Sequence, residues 1–146
     1  MDKKDISIIN ALSTDARMPL RELAKLTKVS AVTVMNRLRA LEESGVIKHY
    51  SVSLDYEKLG YDIEVLIQVR ISKGKLLELE EKISKNPHVV AVYDVTGNFD
   101  AAIIARFSNR RNMDVFLKKI QTFDFVERTN TALILRTIKE ENIKLQ

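Results

Sequence analysis

Cysteine and tryptophan are absent from this 146-residue chain, and proline, glycine and histidine number only two, four and two. Without cysteine there is no disulfide, thiolate zinc site, iron–sulfur cluster or cysteine nucleophile. His49 and His88 lie far apart in sequence, which leaves little for a histidine metal site or a His-based triad. Gly45, Gly60, Gly74 and Gly97 stand singly, so no glycine-rich phosphate loop can be written. No apolar run approaches the roughly 20 residues of a membrane helix. Met1–Lys4 leads into an amphipathic stretch and not into the apolar core of a signal peptide. Cytoplasmic residence without a membrane partner is the expectation. Acids beside lysines, as in Glu78-Leu-Glu-Glu-Lys82, describe a solvated helix face. Neither an enzyme, a metal nor a cofactor is called for.

What is present is apolar material enough for a core: 45% of residues are hydrophobic and 30% charged. The net charge of +4 is unevenly placed. Between Ala16 and His49 seven bases (Arg17, Arg21, Lys25, Lys28, Arg37, Arg39, Lys48) face three acids (Glu22, Glu42, Glu43). A local positive excess is what a phosphate-binding surface requires, and equally what an unevenly charged solvated surface shows.

Helical periodicity opens the chain. Ile6, Ile8, Ile9 and Leu12 predict an amphipathic helix over about residues 3–13. Pro19 can start a second helix through Leu20–Lys25, burying Leu23, Ala24 and Leu26. After a break at Thr27–Val29, Ser30 is a good N-cap for a third helix, Ala31–Glu43, with Val34, Leu38 and Leu41 inward and Gly45 beyond its end. This is a helix-turn-helix pattern. Ser30, Ala31, Thr33, Asn36, Arg37 and Ala40 are read as the outward face. They are small or hydrogen-bonding, suited to a major-groove floor, with Asn and Arg as base-edge donors. Arg37 is the expected main contact, or else a partner of Glu22 or Glu42; Arg39, Lys28 and Lys48 fall nearer phosphates.

From Gly45 the period becomes two. Val46–Leu54 reads as a short strand, making the helical unit a winged one over residues 1–50, with a strand and linker over 51–60. Residues 61–146 form a second unit: strand Tyr61–Ser72, helix Lys75–Asn86, strands Val89–Thr96 and Asp100–Phe107 about an Asn/Gly turn, helix Asn109–Phe123 and strand Phe125–Ile138. The order β-α-β-β-α-β is ferredoxin-like, an α+β class with one sheet face bare in a monomer. Leu66, Ala132 and Ile134 on that face imply self-association.

Asp5-x-x-Ile8-Ile9-x-x-Leu12, Ala16-Arg17, Arg21-Glu22-Leu23-Ala24 and Ser30-x-x-Thr33-Val34-x-x-Arg37-Leu38-x-x-Leu41-Glu42-x-x-Gly45-Val46-Ile47, with Val95-Thr96-Gly97-x-x-Asp100 and Glu127-Arg128-Thr129-x-Thr131 later, resemble the leucine-responsive/asparagine (Lrp/AsnC, feast/famine) regulators. The resemblance covers essentially the whole chain. It implies a transcription regulator whose first domain binds double-stranded DNA. Its second domain would assemble homodimers into tetramers or octamers and bind a free amino acid as effector. The effector residues it implies are Gly97, Asn98, Phe99 and Asp100, with Thr129 and Thr131 on the last strand. The turn reads Gly-Asn-Phe-Asp where the family commonly has Gly-Asp-Tyr-Asp. The alternative is a metabolite-binding or interaction protein without specific DNA binding.

Overall fold

The computed structural model describes every residue except Lys73. It divides into two units, Met1–Leu54 with Lys139–Gln146, and Asp55–Ile138. The expected second unit, 61–146, thus yields its last eight residues to the first.

The first unit holds α1 (Lys3–Thr14), α2 (Leu20–Thr27) and α3 (Ala31–Glu43). Asp2 begins α1 with a capping box: its carboxylate accepts from Lys4 N–H and Asp5 N–H, and Asp5 returns the bond to Asp2 N–H. Ile8 and Ala11, not Ile6 and Ile9, are the deepest residues of α1; they pack with Leu23 and Val34. In α2 the expected inward Leu26 is 52% exposed, and Thr27 takes the buried place, its hydroxyl donating to Leu23 O at 2.7 Å. The helix extends to Thr27 and stops at Lys28, whose φ of 55° turns the chain left-handed. Gly45, at φ +74°, turns the chain after α3, with Ile47 N–H reaching Leu41 O at 3.0 Å.

Val46–Leu54 is not a strand. Alternation alone does not make one; a strand needs a neighbour for its N–H and C=O groups, and none of the described residues of this unit supplies it. The unit therefore has no wing among its described residues. Near it, the Asn10 side-chain amide donates to Leu145 O at 3.0 Å and its carbonyl accepts from Leu145 N–H at 2.9 Å, which holds the C-terminal segment against α1.

The second unit is β1 (Ile63–Ile71), α4 (Leu76–Ile83), β2 (Val89–Asp94), β3 (Ala101–Phe107), α5 (Arg110–Gln121) and β4 (Val126–Leu133). The strands form one antiparallel sheet in the order β2-β3-β1-β4. Val65, Ile67, Val69 and Ile71 alternate to one face and meet Ile103, Phe107, Leu79, Ile83, Phe116 and Ile120 in the main core. Burying each such aliphatic side chain contributes about 1.5–3 kcal/mol. The opposite face carries Leu66, level with Ala132 on β4 and Ile104 on β3, with the Arg106–Glu64 ion pair beside them.

β4 stops well short of the expected Ile138. Its last bond is Ile134 N–H to Glu64 O, because β1 has run out of residues to pair. The β2–β3 connection is longer than a two-residue turn. Asp94 pairs with Ala101, Val95 N–H reaches Asp100 O at 3.0 Å, and Gly97 at φ +111° carries the reversal.

Candidate nucleic-acid interface and effector region

Two inward anchors aim α3. Val34 is fully buried against Ile8 and Leu23 of α1 and α2, and Leu41, two turns on, is nearly so. Ser30 caps the helix, accepting from Thr33 N–H at 3.1 Å, and its hydroxyl also lies 2.8 Å from that of Thr33. Ser30 and Thr33 are thus exposed or half-buried residues whose polar atoms already serve the helix start.

Arg37 does not join the outward face. Its guanidinium Nη1 lies 2.7 Å from Asp5 Oδ1 and 2.8 Å from Asp2 Oδ2, and its side chain is 28% exposed. The partners are the capping carboxylates of α1, not Glu22 or Glu42. The helix period gives the reason: Arg37 follows Val34 by three residues and precedes Leu41 by four, so it flanks the buried stripe. The hydrogen bonds to Asp5 and Asp2 raise its pKa above the ordinary guanidinium value. Asp2 is held below the usual carboxylate range, first by Asp5 N–H and then by Arg37. Arg37 clamps α3 to the start of α1.

The residues that do point away are Ala31, Val32, Met35, Asn36, Arg39 and Ala40, all exposed. Val32 and Met35 escaped the sequence reading, although Val32 lies four and seven residues from Asn36 and Arg39, the spacing of one helix stripe. Lys28 and Lys48 are exposed as well, and neither they nor Arg39 form an ion pair among the described residues. Lys25 and Arg21 approach Glu22, at 3.1 and 3.9 Å.

In the second unit, Gly97–Asp100 forms one polar cluster with β1. Asp100 Oδ2 accepts from Ile71 N–H at 2.8 Å, where the β1–β4 pairing shifts register. Arg70 donates to Asn98 O at 3.1 Å and lies 3.8 Å from Asp100 and 4.0 Å from Glu127. Arg128 stacks over Phe99 at 4.9 Å. Thr129 and Thr131 are not in this cluster. They pair with Val69 and Ile67 on the far flank of β1, and Thr129 Oγ1 accepts from Gln121 Nε2. Asp100 N–H bonds Val69 O from the other flank, so β1 separates the two sets. Among the described residues, no three His, Asp or Glu side chains group to hold a metal, and no helix is long and apolar enough to cross a membrane.

A helix-turn-helix joined to a four-stranded α+β unit is the layout of a DNA-binding regulator with a ligand-binding domain. Residues 1–42 match the AsnC-type helix-turn-helix domain and residues 64–143 the Lrp/AsnC ligand binding domain. An HTH-type transcriptional regulator of Pyrococcus abyssi is 41% identical over 141 residues, covering 97% of this chain and 96% of that one. The AsnC structure of Escherichia coli superposes with a TM-score of 0.90 at 27% identity, covering 99% of both chains. A Neisseria meningitidis transcriptional regulator, solved as its L-Met complex, gives 0.90 at 25% identity, covering 100% of this chain and 96% of that one. The chain belongs to the Lrp/AsnC family and is an HTH-type transcriptional regulator.

Proposed function

We propose that this cytoplasmic regulator binds a specific double-stranded DNA site through α3 and has no catalytic role. The observation that carries the reading is the outward face of α3: the Asn36 carboxamide and the Arg39 guanidinium stand exposed, and no described hydrogen bond or ion pair occupies either. Ala31 and Ala40 keep that face low enough to approach a groove floor. Lys28 and Lys48 serve phosphates, Ser30 and Thr33 set the helix start, and Arg37 acts by holding α3 in place.

The protein acts as a homodimer that assembles further into tetramers or octamers. The sheet face around Leu66, Ile104 and Ala132 and the unpaired, strand-like Val46–Leu54 support this, since each gains by meeting a second copy. Two recognition helices per dimer then imply half-sites about one DNA turn apart.

A free amino acid is the proposed effector, supported by the family of the second domain and by the L-Met complex of the Neisseria relative. Asp100 and Arg70 offer opposite charges to a zwitterion beside the backbone of Gly97, Asn98 and Phe99. Thr129 and Thr131 lie about two strand spacings, roughly 10 Å, from Asp100. One small ligand touching both sets therefore calls on two protomers.

Selecting genomic fragments retained by the full chain, then titrating salt, tests the whole reading. Specific fragments that are released steeply as salt rises are expected, because phosphate contacts release counterions. Retention of every fragment alike, or of none, would overturn it.

A further inference from the structure

Of the side chains most exposed on α3, one is unexplained by folding. Val32 is 63% exposed, and Met35, one turn on, is 40% exposed. Neither belongs to the core around Ile8, Leu23 and Val34 or packs against it. A solvated helix face gains nothing from a bare valine, which is also a weaker helix former than Glu, Lys or Ala. Val32 sits second in the helix, two residues after the Ser30 cap, in the part of a recognition helix whose residues reach base edges. It shares a stripe with Asn36 and Arg39.

Three polar residues expected to read bases are engaged elsewhere. Ser30 and Thr33 bond each other at the cap, and Arg37 bonds Asp2 and Asp5. The reading surface at the amino end of α3 is therefore the free Asn36 carboxamide flanked by the apolar Val32 and Met35, with the exposed Arg39 guanidinium three residues further on. In the major groove an Asn side chain matches adenine through N6 and N7, and an apolar side chain matches the C5-methyl of thymine. Guanine, read best by Arg, would have only Arg39 on this stripe.

Resting on the DNA-binding reading above, we infer that Val32, with Met35 at its flank, is a specificity-determining contact to thymine methyl groups beside an adenine read by Asn36. The preferred half-site accordingly carries A·T pairs at the positions under the amino end of α3. The occupant is the major groove and not an apolar protein surface, because exposed Arg39 on the same stripe and exposed Lys28 just before the Ser30 cap carry positive charge that no described ion pair offsets.

The test uses the full chain and a fragment selected for tight binding, with each thymine of the half-site replaced in turn by deoxyuridine, which removes only the methyl. Affinity should fall about fourfold at one or two positions, the equivalent of roughly one buried methyl group each. V32A, in which little folding is at stake at so exposed a position, should bind the thymine site more weakly and be indifferent to uracil there. N36A should lose discrimination at the neighbouring adenine. Equal affinity for thymine and uracil at every position, or the same uracil penalty in V32A as in the parent, overturns the inference and leaves DNA binding standing. Failure to retain any fragment overturns both.

Discussion

Replacing Arg106 with methionine probes the ion pair on the open face of the sheet. Arg106 stands level with Glu64 across β1 and β3, with Nη2 2.7 Å from Oε1 and side chains only 16% and 12% exposed. The Tyr56 ring covers the guanidinium at 4.4 Å, and Thr137 donates to the other carboxylate oxygen at 3.5 Å. At that depth water replaces a lost counter-charge poorly, so Arg106→Met should destabilise the second unit by about 3–5 kcal/mol, the cost of leaving one buried charge behind. The exposed pair Lys118–Asp114 is the control. It is as short, at 2.7 Å, but 72% and 56% exposed, and Lys118→Met should cost about 0.3–0.5 kcal/mol. Urea unfolding followed by circular dichroism reads both, through a midpoint that moves while the slope stays constant. A Glu64→Leu, Arg106→Met double variant should recover most of the loss, since apolar replacement of both partners is often neutral. A loss below about 1 kcal/mol for Arg106→Met would refute the claim that the pair is shielded.

Four further outcomes follow from the first unit. Ser30→Ala should destabilise it by about 1 kcal/mol, the worth of an N-cap, measured by urea unfolding. Arg37→Met should lower its melting temperature and weaken binding to specific and random DNA alike; a loss confined to the specific site would restore Arg37 as a base contact. Asp2 titrates below its ordinary value of 3.8 in the fold, so its stabilisation is complete above that pH and disappears as pH falls through the lowered value; D2N should flatten the acid limb of a melting-temperature profile. Tyr50, pushed up to about 12 by desolvation and by its bond to Glu42 at 2.7 Å, stabilises while protonated; that contribution is lost from about pH 10 upward, and Y50F should remove the last phenolate step in an ultraviolet titration.

Elements whose cause is local were legible in the sequence. The Ser30 cap, the bounds of α3 and the inward alternation of β1 depend on residues within a few positions of one another. Features set by a partner were not. The alternation of Val46–Leu54 promised a strand, but pairing decides strands, and the chain provides no partner there. β4 ends opposite the beginning of β1, which its own apolar residues could not announce. At the site, residue type pointed Arg37 to a base contact or to Glu22 or Glu42, whereas the register puts it beside the acids of α1. Val32 was passed over because it is apolar, although the same register places it outward. The turn at Gly97 was found, but its separation from Thr129 by a whole strand became clear only from the sheet order.

The paired bonds between Asn10 and Leu145 join residues 135 positions apart. Closing a flexible loop of that length costs about 4 kcal/mol. Two such neutral hydrogen bonds contribute about 1 kcal/mol each, too little to hold that loop closed by themselves. Folding of the intervening residues 55–138 restricts that loop and so lowers the cost of closing it. A fragment ending at Leu54 lacks the C-terminal segment, and with it both bonds to Asn10. During synthesis the α1 face around Asn10 waits for Leu145. The helical unit, first to be made, is the last to be finished.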